Sequence, residues 1–254
     1  MTDTLPVTLV TGGARRIGRA IAMDLAEHGY PVVVHCFHSR GEADALVDEI
    51  ADKGGRAASV VADLSDENAL ESVFDEARSA FGSIGMLINN ASLFESDEAE
   101  DFDWSIWDAH FALHTKAPVE LARLFAKQLT PAADGLIVNL IDQRVWRPTP
   151  RFFSYTLSKS ALWTATQTLA QALAPQVRVN AIGPGPTLPN SRQDESAFQS
   201  QVSALLLRRG PDLSEFGATI RYFWSARSVT GQMIALDGGQ HLAWQTPDVA
   251  GIAE

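Results

Sequence analysis

The chain has 254 residues, of which 46% are hydrophobic and 20% charged, a length and balance that suit one large buried core. Its formal net charge of −11 argues against a nucleic-acid or anionic-membrane surface, because either calls for a basic patch. Cys36 is the only cysteine, which excludes an intramolecular disulfide and a thiolate metal cluster; no metal is expected, and with no basic n-region and no apolar run near the roughly 18 residues of a membrane span the chain reads as soluble and cytoplasmic.

The β-branched run VTLVT at 7–11 predicts a first strand, and the turn TGGARRIGR at 11–19 follows it. Ile17, Ile21, Ala22 and Leu25 then recur at helical spacing up to Gly29. Glycines at a strand–helix junction let a ligand approach the backbone, and the free N–H groups at the helix start, with the positive end of its dipole, suit a phosphate. Further strands are predicted at 31–36, 57–63, 85–90, 135–141, 177–182 and 231–237, alternating with helical patterns at 41–53, 66–81, 104–130, 153–174 and 212–226. This alternation predicts an α/β fold: one Rossmann-like domain over 1–254, with a doubly wound parallel β-sheet of about seven strands flanked by helices on both faces. Ligands of such a sheet bind beyond the carboxyl ends of its strands, where the strand order reverses. The Pro- and Gly-rich stretch 183–199 predicts a loop over that site, and a mobile substrate loop is placed within 187–215. Cys36, in a strand, reads as a small core residue, the scattered tryptophans as packing residues, and the acidic run 95–103 as a solvated rim.

The second strand bears on the choice of dinucleotide. An NAD site places a carboxylate at the end of this strand to accept from the ribose 2′-OH, but residues 35–40, HCFHSR, contain none. His38, Ser39 and Arg40, with Arg15 from the turn, can instead receive a 2′-phosphate, which points to NADPH; the alternative is that they cap the next helix. The chemistry is expected in residues 139–159. Tyr155 and Lys159 lie four apart at a helix start and so share one face, where the ammonium would favour the ionised phenol. Asp142 ends the preceding strand, where parallel sheets project catalytic groups.

The glycine-rich turn, NNAS at 89–92, YTLSK at 155–159, PGPT at 184–187 and LDGG at 236–239 occur in the order and spacing of the short-chain dehydrogenase/reductase family, which the chain resembles over nearly its whole length. Most members have serine where this chain has Asp142 and a further glycine where it has Arg16. Both departures occur in one branch, the pteridine reductases and dihydromonapterin reductases. The resemblance implies that Arg16 reaches the pterin and the cofactor phosphates, and that Arg15 lies nearer the 2′-phosphate. It implies a pterin contact for Ser92 and an aromatic platform for the pterin in Phe94. Gly12, Ile17, Gly18, Asp63, Leu64, Asn89, Ala91, Pro184, Gly185 and Thr187 are implied to line the cofactor cleft, with Asp63 at the adenine and Pro184 and Thr187 at the nicotinamide end. The family's asparagine in the helix after NNAS is replaced by His114, which either relays protons or is simply packed and hydrogen-bonded. The patterns at 104–130 and 153–174 resemble the family's subunit interface, implying a dimer or a tetramer.

The expected function is NADPH-dependent hydride transfer to a C=N bond of a pterin, with Asp142, Tyr155 and Lys159 catalytic and Arg16, Ser92, Phe94, Asp142 and Tyr155 contacting substrate. A carboxylate at 142 suits the amino and N–H donors of a pterin edge, whereas it opposes the oxyanion that develops from a ketone. The alternatives are an NADPH-dependent carbonyl reductase of a 3-oxoacyl thioester, sugar or small ketone, and a non-catalytic dinucleotide-binding scaffold.

Overall fold

A computed structural model describes residues 5–130, 133–189, 192–246 and 250. Seven strands, β1 Val7–Val10, β2 Val32–Cys36, β3 Ala57–Val61, β4 Ile84–Asn89, β5 Gly135–Leu140, β6 Val177–Pro184 and β7 Met233–Leu236, form one sheet in the order β3-β2-β1-β4-β5-β6-β7. Every pairing is parallel, as helical crossovers require. The helices are α1 Arg16–Glu27, α2 Arg40–Asp52, α3 Ala69–Phe81, α4 Trp104–Phe111, α5 Ala117–Gln128, α6 Phe153–Ala172, α7 Glu195–Ser203 and α8 Leu213–Ser225. No helix among the described residues is long and apolar enough to cross a membrane.

The strands are buried on both faces, so their apolar runs are nearly continuous and successive side chains serve different cores. Val10, Val34, Ile88 and Val138 pack with Ile21 and Leu25 of α1, Ile50 of α2 and Phe216 and Phe223 of α8. Leu9, Val33, Leu87 and Ile137 pack on the other side with Phe74 of α3 and Leu121 and Phe125 of α5. Cys36 is buried in the first of these cores, as expected.

Two elements differ from the sequence expectation. The pattern at 104–130 is one helical run broken into α4 and α5 by a π turn at Ala112–Lys116, an insertion that apolar periodicity does not register and that often marks functional sites. The stretch expected as a loop at 183–199 already enters α7, whose N-cap Asp194 accepts from the Ala197 N–H at 2.8 Å. Only Phe198 of α7 is buried, so the helix carries almost no apolar period.

The strand order reverses between β1 and β4, and the chain segments leaving these two strands lie together there. Gly12 adopts a left-handed backbone, φ +59°, and a Cβ on Gly18 would lie 2.2 Å from the Gly12 carbonyl oxygen and 2.5 Å from Asn90 Nδ2. The turn closes only because neither residue carries a side chain. Gly18→Ala is therefore expected to lower unfolding stability by about 1–3 kcal/mol, read as a lower urea midpoint at unchanged slope; an unaltered midpoint would mean the turn yields without cost.

Candidate active site

The floor of the site is a hydrogen-bonded tie between the ends of β1 and β4. Thr11 Oγ1 accepts from the Asn90 and Ala91 amides at 2.9 and 3.0 Å, and Asn90 Nδ2 donates to the carbonyls of Thr11 and Gly12, both at 2.9 Å. His35, at the tip of β2, accepts from the Gly12 N–H at Nδ1 (3.2 Å) and approaches the Ala62 carbonyl with Nε2 (3.0 Å). Since Nδ1 accepts, Nε2 carries the proton and donates. Burial lowers the pKa of His35 to about 4, so the ring stays neutral and keeps that acceptor. Neither Asn90 nor His35 was among the residues singled out from sequence; their signal was only position, one beside Asn89 and one at a strand end.

The expected cofactor residues surround this floor. Arg15 is the N-cap of α1, pairs with Glu42 at 3.3 Å, and stands before a first turn that has no acidic residue. Ile17 packs against the sheet core and Gly18 is buried. His38 meets the Phe37 ring at a tilt of 32°, Ser39 precedes α2 without a side-chain cap bond, and exposed Arg40 lies 3.6 Å from Asp44. The capping alternative for Ser39 is thus not what its hydroxyl does. Asp63 accepts from the Ser65 amide and hydroxyl at 2.9 and 2.6 Å, with Leu64 buried beside it. Asn89 is buried, donates to Asn139 Oδ1 at 2.8 Å, and leaves its own Oδ1 without a partner. On the far side, a Cβ on Gly185 would lie 2.6 Å from Asp237 Cα, and the Thr187 hydroxyl donates back to the Gly185 carbonyl at 3.0 Å, a short brace just after Pro184. Arg16, at φ +52°, spans the cleft and donates to the carbonyls of Leu188 and Pro189 at 3.3 and 3.0 Å. Residues 190 and 191 of the expected substrate loop lie outside the described residues.

The three expected catalytic groups are brought together by β5 and α6. Asp142 follows β5, and its Oδ1 accepts from the Arg144 amide at 2.8 Å, while Oδ2 accepts from the Tyr155 hydroxyl at 3.0 Å. Lys159 donates to the Leu140 carbonyl at 2.8 Å, with Nζ 5.9 Å from the centre of the Tyr155 ring. Burial raises the Asp142 pKa, and the backbone amide and charge of Arg144 oppose it. Burial also lowers that of Lys159 to about 8, against the pull of Asp142. Burial first, then the Asp142 charge, pushes the Tyr155 pKa well above its ordinary value. The arrangement stores a proton on Tyr155.

Phe94 meets Tyr155 edge-on at 4.7 Å and stacks on Phe152 at 4.2 Å. Phe152 takes a left-handed backbone, φ +57°, as the N-cap of α6, a strained geometry for a bulky residue and one that clusters at functional sites. Sequence reasoning missed Phe152 because an aromatic residue offers no hint of a positive φ. Ser92 Oγ lies 3.0 Å from His114 Nε2. His114 is fully buried, accepts the Leu93 N–H at 3.0 Å, and approaches Ser158 Oγ at 2.9 Å. Burial, then the Lys159 charge, holds its pKa well below the usual value, so the ring is held neutral.

Residues 6–200 match the family described as short chain dehydrogenase. A dihydromonapterin reductase of Escherichia coli O6:H1 is 29% identical over 95% of this chain and 98% of its own. A 3-oxoacyl-[acyl-carrier-protein] reductase of Staphylococcus epidermidis is 30% identical over 92% and 98%. Among solved structures, FolM alternative dihydrofolate reductase 1 of Brucella suis, in complex with NADP, is 58% identical and superposes with a TM-score of 0.95 over 98% of this chain and 100% of its own. With the glycine turn, the tyrosine–lysine pair and the sheet order all in place, the chain belongs to the short-chain dehydrogenase family.

Proposed function

We propose that this protein is an NADPH-dependent reductase that transfers a hydride to a C=N bond of a pterin. The single observation that carries the substrate class is the half-buried Asp142 carboxylate bonded to the Tyr155 hydroxyl, at the position where most of the family has a neutral hydroxyl donor. A carboxylate accepts from the amino and N–H edge of a pterin but would oppose the negative charge that grows on a ketone oxygen. The likeness to a dihydromonapterin reductase and to an alternative dihydrofolate reductase supports the same reading.

The residues present fit a bound NADPH: the turn at Gly12 and Gly18 is open only to backbone, no acid stands in the first turn of α1, and cations stand at Arg15 and Arg40. In this reading Arg15, His38, Ser39 and Arg40 hold the 2′-phosphate, Gly12, Arg16, Ile17 and Gly18 the pyrophosphate side, and Asp63 and Leu64 the adenine. Asn89, Ala91, Ser92, Pro184, Gly185, Thr187, Tyr155 and Lys159 line the nicotinamide half. Bound NADPH supplies the hydride. Tyr155 hands its stored proton to the substrate nitrogen, and Lys159 then steadies the phenolate from below. Asp142 holds the hydroxyl in place and, once it has taken up a proton from solvent, passes that proton to the Tyr155 phenolate. Phe94, backed by Phe152, is the platform for the pterin ring, with Arg16 and Ser92 at its edge. Residues 187–215 form the substrate loop, and α5 and α6, which expose Val119 and Leu157, form a dimer or tetramer interface.

Purified protein is expected to oxidise NADPH with dihydrobiopterin, dihydromonapterin or dihydrofolate and not with a short 3-oxoacyl thioester. Asp142→Asn should lower pterin kcat/KM about 10²-fold while NADPH affinity holds; turnover confined to the thioester would defeat the reading. Because the Lys159 ammonium is lost as pH rises through about 8, pterin turnover should fall along that limb and be full below it; a flat profile up to pH about 10, the range of an ordinary lysine, would remove Lys159 from the proton transfer. Light scattering should give a mass in solution that is two or four times 27.5 kDa, and a stable monomer would refute the interface.

A further inference from the structure

Phe94 lies in an irregular segment, residues 92–97, that belongs to no strand of the sheet. It is nevertheless gripped at every second residue. The Leu93 N–H donates to His114 Nε2 at 3.0 Å, the Glu95 N–H donates to His110 Nε2 at 3.3 Å, and both carboxylate oxygens of Asp97 accept from the Ser154 N–H at 3.1 Å. The two imidazoles stand four residues apart on the run that contains the π turn, stacked with centroids 5.4 Å apart and planes 19° off parallel. Each Nε2 accepts an amide proton, so each ring carries its proton on Nδ1. From there His114 donates to Ser158 Oγ at 2.9 Å and His110 to Ser154 Oγ at 2.7 Å, on consecutive turns of α6. Ser158 in turn donates to the carbonyl of Tyr155 at 2.8 Å. Both imidazoles also meet the Tyr155 ring edge-on, at 5.9 Å from His110 and 5.4 Å from His114. Both are fully buried, and burial lowers the pKa of each, which keeps the acceptor at Nε2 available.

We propose that His110 and His114 are positioning residues that bind pterin indirectly: a pair of neutral imidazoles that fixes the Phe94 platform relative to the Tyr155 hydroxyl. The ligand named rests on the pterin reading above; the clamp rests on its own hydrogen bonds. The amide that ends an asparagine side chain reaches about as far as Nδ1 of histidine, so asparagine at 114 keeps Ser158 and releases Leu93, whereas the glutamine amide, one methylene longer, reaches about as far as Nε2 and keeps Leu93. The contact to Leu93 is thus what histidine adds where the family carries asparagine.

Two measurements on the full-length protein loaded with NADP+ test this: amide hydrogen exchange at Leu93, and the dissociation constant of dihydrobiopterin. His114→Asn is expected to speed Leu93 exchange and weaken dihydrobiopterin binding about ten-fold, the scale of one lost hydrogen bond, while NADPH affinity stays within about two-fold. His114→Gln should retain both properties. Should His114→Asn fail to fold, His110→Asn read at Glu95 makes the same comparison. Unchanged dihydrobiopterin affinity in the asparagine variant overturns the proposal, as does unprotected Leu93 in the unsubstituted protein. A protein that folds and binds NADPH but never binds dihydrobiopterin defeats the pterin reading instead, and the exchange contrast between the asparagine and glutamine variants then decides the clamp alone.

Discussion

Tyr155 and Lys159 are buried beside the half-buried Asp142 in one cluster, and the rest of the site is arranged around that constraint. A buried charge is tolerated only when it is paired or hydrogen-bonded. All three find their partners in the stretch 140–144 at and just after the end of β5: the Arg144 amide for Asp142, the Asp142 carboxylate for Tyr155, and the Leu140 carbonyl for Lys159. The opposite shifts of Asp142 and Lys159, one raised and one lowered, both disfavour charge and so bring the two groups closer to proton exchange than either would be in water. Free energy spent on holding these groups is not available for stability, the usual compromise of an active site.

The constraint also explains α6. Its buried face begins with Ser154, Tyr155, Thr156, Ser158 and Lys159 before it turns apolar at Leu162. A helix that buries polar groups must supply acceptors and donors from its neighbours. The α4–α5 run does so through His110 and His114, and the 92–97 segment through Asp97. The π turn at Ala112–Lys116 lies at this contact, in the same run as both histidines.

Across the cleft the logic is steric. The turn after β1 is compressed against Asn90 and Ala91, and Gly185 is compressed against Asp237, so both walls present bare backbone. Arg16 joins the walls by reaching from the start of α1 to the carbonyls of Leu188 and Pro189. The opening arginine pair of the turn therefore has divided duties: Arg15 faces the acidic start of α2, and Arg16 faces the segment that follows β6.

Much of this was legible in one dimension. β-branched runs that alternate with helical periods dictate a parallel sheet because each crossover buries a continuous strand, and glycine spacing, the Tyr155–Lys159 pair and Asp142 at a strand end are local signals that survive without coordinates. The missing carboxylate at the end of β2 was likewise readable from residue types alone. The polar contacts were not. The ring nitrogens of His35, His110 and His114 take their roles from amides and carbonyls distant in sequence, Phe152 and Arg16 hold a backbone conformation that their side chains do not advertise, and α7 has too little apolar period to announce itself. Sequence by itself determined the fold and the candidate reacting groups, because periodicity and residue chemistry are local; the tertiary structure alone decided which partner each polar group meets, because desolvation and hydrogen-bond partners are set by what packs around a group.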